Sequence, residues 1–206
     1  PLTLLGACRE RGIRLAHLGS GCIFEGTGRE GSKGFCESDA PIPRAFYSAT
    51  KAAADDLLMR SGPSDVLILR IRQPFSDAPH PRNLITKLLS YTHLITSQNS
   101  MTYVPDLIRA TAALLEKNVR GILHVVNPGT LSPYEIAMLG REILGIARSY
   151  VPIAKAELDR RDRAAGREKR VDAILDTRRL AEAGVALDDV RTQMRRALER
   201  YRQALG

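Results

Sequence analysis

Apolar positions along the chain alternate between a helical rhythm and short continuous runs, and this alternation lays out the elements. Residues 2–11 read as the end of an amphipathic helix, and Gly12 leads into a short apolar strand over Ile13 to Leu18. A Gly/Ser-rich loop follows, with GTGREGSKG at 26–34, and it reads as flexible. Pro41 and Pro43 precede a helix from about Arg44 to Arg60, which Gly62 and Pro63 stop. Val66-Leu67-Ile68-Leu69 is a buried strand by its unbroken apolar run. Pro74, Pro79 and Pro81 mark a loop before a helix near 83–91, and Val104 to Glu116 is apolar at helical spacing. Ile122 to Val126 is a second buried strand, Asn127-Pro128-Gly129 turns the chain, and Ser132 caps a helix reaching about Leu144. Further helices are expected near 177–183 and 187–203. Strands alternating with helices predict an α/β fold: a parallel sheet covered on both faces.

Composition changes this picture little. The 206 residues are 44% hydrophobic and 26% charged, an ordinary globular balance with no repeat and no apolar run long enough to span a membrane. Three cysteines, Cys8, Cys22 and Cys36, form no CxxC, so neither a disulfide framework nor a zinc site is expected. The default compartment is then a reducing, cytoplasmic one. His17, His80, His93 and His124 are scattered, so no metal is expected. The net charge of +8 favours anionic partners. The basic stretch Arg160 to Arg170 is interleaved with acids and has no aromatic residue to stack on a base. It reads as a solvated helix or loop, and no nucleic-acid or membrane partner is expected.

Two motifs carry chemistry. Tyr47-Ser48-Ala49-Thr50-Lys51 is a YxxxK on a predicted helix, so the phenol and the ammonium share a face. An ammonium beside a phenol favours the phenolate, and such a pair exchanges protons near neutral pH. The pattern alone is weak, with about 0.17 occurrences expected by chance from the composition. Leu18-Gly19-Ser20-Gly21-Cys22 lies at the C-terminal end of the first strand, where open parallel sheets bind ligands. Two residues apart on extended backbone, the Ser20 hydroxyl and the Cys22 thiol are expected on one side.

Strand, serine and YxxxK in this order resemble the extended short-chain dehydrogenase/reductase family. GCIFEG, FYSATK, LRIRQP, PRNLITK, NSMT and GILHVVNPG resemble its UDP-4-keto-6-deoxyglucose 3,5-epimerase/4-reductases, the C-terminal half of plant rhamnose synthases. Those enzymes are related to dTDP-4-dehydrorhamnose reductase, and LGSGCIF is also similar to the active-site strand of GDP-fucose synthase. The resemblance covers about residues 2–145, with only Asp176-Thr177-Arg178-Arg179-Leu180 continuing it loosely.

The resemblance implies the C-terminal part of a Rossmann-type domain over 1–78. Residues 79–206 would form a substrate-binding region whose strand 122–126 returns to the main sheet. It implies NADP or NAD as cofactor and a nucleoside-diphosphate 4-keto-6-deoxy sugar as substrate, with a homodimer left open. Tyr47 would protonate the C4 oxygen, Lys51 would support Tyr47 and hold the nicotinamide ribose, and Pro74 would border the nicotinamide. Ser20 would bond the keto oxygen. Cys22 and Lys87 would be the acid/base pair at C3 and C5, and Asn83 would contact the sugar nucleotide.

Each position also has a plainer reading. Cys22 can be a core cysteine, Lys87 a solvated helix lysine, Ser20 a strand-end residue and Asn83 a helix cap. Three functions stay open: an epimerase/reductase, a plain 4-reductase with a structural Cys22, and a non-catalytic sugar-nucleotide binder. The family's GxxGxxG turn does not follow an N-terminal strand here. The chain is therefore expected to be a fragment lacking about three βα units, roughly 90 residues at about 30 per unit. Alone, it is expected neither to bind NAD(P)H tightly nor to turn over, and to be poorly soluble with its sheet edge uncovered.

Overall fold

A computed structural model of the chain describes residues 1–166 and 171–206. The elements run α1 (Leu2–Glu10), β1 (Leu15–Ser20), α2 (Phe46–Ser61), β2 (Val66–Ile71), β3 (Pro74–Phe75), α3 (Leu84–Ser90), β4 (His93–Ile95), β5 (Asn99–Tyr103) and α4 (Val104–Glu116). They continue with β6 (Gly121–His124), β7 (Asn127–Leu131), α5 (Pro133–Leu144), β8 (Val151–Ile153), α6 (Lys155–Ala164), α7 (Arg178–Glu182) and α8 (Val190–Gln203).

The main sheet is parallel, in the order β1-β2-β6. Leu15 lies opposite Val66, and Leu67 opposite Gly121. The apolar run of β2 is explained by its central place. Val66 and Ile68 face Leu5 of α1 and Leu58 of α2, whereas Leu67 and Leu69 pack with Leu107, Ala110 and Leu114 of α4. Helices thus cover both faces of the central strand. β1 is an edge, and its Leu18 is exposed, as are Leu4 and Phe46 on the helices beside it.

The second region contains the sheet β3-β5-β7 and the pair β4-β8. Here α3, α5 and α8 enclose a core that includes Phe75, Ile85, Met101, Ile136, Met194 and Leu198. α5 begins with a capping box. Ser132 Oγ accepts from Glu135 N, and the Glu135 carboxylate accepts from Ser132 N. Among the described residues, no helix is long and apolar enough to cross a membrane.

Several sequence expectations need correction. The first strand starts two residues later and reaches Ser20, because Leu15 to Ser20 is the stretch in register with β2. Asn127-Pro128-Gly129 is the start of β7, since Met101 pairs with Asn127 across the antiparallel ladder to β5. The glycine-rich loop is not loose at its ends. Gly26 N donates to Asp172 O and Phe35 N to Ile174 O, both at 2.8 Å, so residues 172–176 strap it down. Gly34 sits at φ +138°, where an added Cβ would lie 2.8 Å from the backbone of Ile174 and Leu175. Of the basic stretch Arg160 to Arg170, residues 160–164 belong to α6 and 167–170 lie outside the described residues.

Candidate active site

β1 ends at Ser20, and Gly21–Ile23 form one turn of 3₁₀ helix. Cys22 is therefore not on extended backbone, and the alternation argument for its orientation does not hold. The link between the two side chains is local instead: Ser20 Oγ accepts from Cys22 N at 3.2 Å and caps the turn. As an acceptor, the buried Ser20 hydroxyl keeps its proton for donation elsewhere. Gly21 is required by packing, because a Cβ there would sit 2.6 Å from Leu175 Cδ1.

Cys22 Sγ accepts a hydrogen bond from Arg72 Nη1 at 2.8 Å. Arg72 follows β2 and is 4% exposed. Its Nη2 donates to Asn99 Oδ1 at 2.7 Å and to the Val171 carbonyl. Asn99, wholly buried on β5, donates through Nδ2 to Asp172 Oδ1 at 3.0 Å. The next residue, Gln73, has φ +36°, an uncommon conformation for a residue with a side chain. Arg72, Asn99 and Asp172 were not among the sequence candidates. The available signal was an arginine at the end of an apolar strand run, which has to be paired once it is buried.

Tyr47 and Lys51 share one face of α2. Tyr47 is 51% exposed, and Lys51 Nζ donates to Leu18 O at 3.3 Å, tying the helix to the end of β1. Burial and the Lys51 charge push His17, on the same strand, below its ordinary value. Deeper along α2, Asp55 pairs with Arg70 of β2 at 2.8 Å, with both side chains buried. This pair seats the helix on the sheet. The Arg70 guanidinium also lies 5.5 Å from the centre of the Phe24 ring. Burial, with Arg70 nearby, holds His124 down at about 3. His124 is therefore neutral at ordinary pH.

The remaining candidates belong to β3, to α3 and to the cap of α3. Lys87 is exposed on α3. Asn83 caps α3 through Ile85 N, and its amide nitrogen donates to Ser76 O and Ala78 O, both at 2.8 Å. Its polar atoms are thus committed to backbone. Pro74 is exposed and shares with Asn83, His80 and Arg82 the rim of a cavity of about 440 Å³. A larger cavity, about 860 Å³, opens between α3, β4 and α6 and is lined by Gln73, Leu88, His93 and Asp172 among others. It therefore adjoins the Arg72–Asn99–Asp172 cluster directly. Among the described residues, no three His, Cys, Asp or Glu side chains converge as a metal site.

Residues 1–203 match the RmlD substrate binding domain. The chain is 38% identical over 148 residues to a bifunctional dTDP-4-dehydrorhamnose 3,5-epimerase/dTDP-4-dehydrorhamnose reductase of Arabidopsis thaliana. That match covers 69% of this chain and 48% of the plant protein, so the chain spans about half the length of that relative. The crystal structure of the L780 UDP-rhamnose synthase of Acanthamoeba polyphaga mimivirus superposes with a TM-score of 0.86 at 32% identity, covering 97% of this chain and 69% of that one. RMD of Pseudomonas aeruginosa, solved with NADPH, shares the fold with a TM-score of 0.71 at 19% identity, covering 98% of this chain and 71% of that one.

Proposed function

The chain belongs to the RmlD substrate binding domain family, and on that premise we propose that its site acts on a nucleoside-diphosphate 4-keto-6-deoxy sugar, inverting C3 and C5 and supporting reduction at C4. The observation that carries this reading is the strand end where Ser20 and Cys22 are joined, with the Tyr47–Lys51 helix tied to the same strand by Lys51.

The chemistry follows from the groups present. A hydrogen on a carbon next to a ketone is acidic, because its electron pair moves onto the carbonyl oxygen as the proton leaves. Cys22, as thiolate, accepts that proton and becomes a thiol. The Ser20 hydroxyl donates to the oxygen that takes up the charge. Lys87, as ammonium, returns a proton to the carbon from the opposite side, which inverts the centre. Asn83 serves by anchoring the start of the helix that carries Lys87. In the second stage, the Tyr47 hydroxyl gives its proton to the C4 oxygen, and Lys51 supports the resulting phenolate.

The residues present fit the nicotinamide end of NADPH or NADH. An exposed tyrosine lies one turn from a lysine that is bonded to the end of β1, and the exposed Pro74 follows β2. When bound, that cofactor supplies the hydride to C4. Tyr47 and Lys51 would hold its ribose, and Pro74 would border its ring.

The test is solvent exchange. The chain alone is not expected to complete a reduction, but proton exchange needs no hydride, so the 206-residue chain is mixed with a nucleoside-diphosphate 4-keto-6-deoxyglucose in D₂O and followed by proton NMR. Loss of the C3 and C5 signals, abolished by Cys22→Ala, is the expected result. No loss beyond a chain-free control, or equal loss with Cys22→Ala, overturns the reading.

A further inference from the structure

Cys22 is held by a group to which the reading above gives no task. The Arg72 guanidinium reaches its sulfur at 2.8 Å, and arginine can only donate. Whatever the protonation state of Cys22, one sulfur lone pair is therefore fixed against Nη1, and a thiol proton points away from Arg72. The guanidinium is itself fixed. Nη2 is bonded to Asn99 Oδ1 and the Val171 carbonyl, and Asn99 is bonded in turn to Asp172. Asn99 Oδ1 also accepts from Ala173 N at 3.2 Å, so its amide cannot turn over without losing its bonds to Arg72, Ala173 and Asp172. Arg72 N donates to Thr102 Oγ1, which holds its backbone to β5. The nearest carboxylate in this chain of bonds, Asp172, is separated from the guanidinium by Asn99. Among the described residues no carboxylate pairs directly with the guanidinium, and Nη1 is spent on the sulfur.

We propose that Arg72 is the positioning residue for Cys22: clamped by Asn99, it fixes Sγ in place and balances the negative charge that Sγ carries whenever its proton has moved. The proposal rests on the reading of Cys22 as an acid/base. Arg72 itself neither gives nor takes a proton, because a guanidinium stays charged throughout. A thiolate beside a fixed cation is the form that attacks an alkylating reagent, so the arrangement is visible in chemistry that needs no sugar and no cofactor. Cys36 provides an internal reference. It is also half-buried, but its sulfur lies 3.2 Å from Ser38 Oγ, its N–H donates to the Asp39 carboxylate, and the nearby Arg178 acts on it through space while bonding Asp176.

The experiment is competitive alkylation of the 206-residue chain at fixed pH with iodoacetamide and with iodoacetate, the sites being read by peptide mass spectrometry. In the unmodified chain, the iodoacetate-to-iodoacetamide rate ratio at Cys22 is expected to exceed that at Cys36 on the order of tenfold. Arg72→Gln should bring the two ratios together, and Arg72→Lys should restore much of the preference by returning a cation without the planar fork. Equal ratios at the two cysteines of the unmodified chain overturn the proposal, and that measurement needs no variant to fold. Should Arg72→Gln fold and keep the Cys22 preference, the proposal is overturned as well. The function reading fails separately: a Cys22→Ala chain that still exchanges the sugar protons removes the acid/base role, whereas the alkylation ratios judge Arg72 alone.

Discussion

The two side-chain pairs at the candidate site are built in opposite ways. Cys22 and Arg72 are held by Asn99, Asp172 and the strap at 171–176, drawn from parts of the sequence far apart. Tyr47 and Lys51 are neighbours on one helix, half open at Tyr47, with a bond from Lys51 to the end of an edge strand. On the proposed function, the difference matches the demands of the two steps. Moving a proton between carbon and sulfur needs a sulfur whose position and charge are set before the substrate arrives. A phenol that serves reduction, as proposed for Tyr47, needs room beside it for both sugar and nicotinamide.

The contrast can be broken by mutation. The largest effect is expected at Asp55, which seats α2 through Arg70. Asp55→Ala leaves a buried guanidinium unpaired and should cost about 3–5 kcal/mol in urea unfolding. A loss within experimental error would show that α2 is seated by its apolar contacts. Asn99→Ala strips partners from both Arg72 and Asp172, and about 3 kcal/mol is expected in the same assay. At the other extreme, Tyr47→Phe should change stability by no more than about 0.5 kcal/mol, since the residue is half exposed. A loss at Tyr47 equal to that at Asn99 would erase the contrast.

Acid separates the interior from the open pair by another route. A histidine of the unfolded chain takes up its proton near 6.5, whereas His124 in the fold is held to about 3 by burial and by the nearby Arg70. Its folded value is depressed, so the unfolded chain binds the proton first. The stability that neutral His124 permits is complete above about pH 6.5 and drains away as the pH falls toward 3. Thermal melts across that window should show a smaller decline for His124→Gln than for the unmodified chain, and parallel declines would remove His124 from the account.

The strand-and-helix frame was legible because its signals are local. The run Val66 to Leu69 is apolar on both faces, as a central strand must be, and α4 was found with its ends because its apolar residues keep helical spacing. β5 was missed: Asn99-Ser100-Met101-Thr102-Tyr103 is entirely buried yet mostly polar, its side chains being used to bond Arg72, Leu175 and Val125. α6 was missed because its charged sequence has no apolar stripe. The YxxxK pair was readable because a helix turns spacing into proximity. The Arg72 clamp was not, because its members lie 27 and 73 residues apart and meet only through sheet pairing and the return of the tail.

The central claim is that proton transfer belongs to the buried cluster and is separable from the open pair. Its most direct test is C3 and C5 deuterium incorporation into the 4-keto sugar with no nicotinamide present, compared between Cys22→Ala and Tyr47→Phe. The account predicts a fall of about 10²–10⁴-fold for Cys22→Ala. It predicts near-native exchange for Tyr47→Phe. Equal loss in the two variants, or exchange that survives Cys22→Ala, would contradict it.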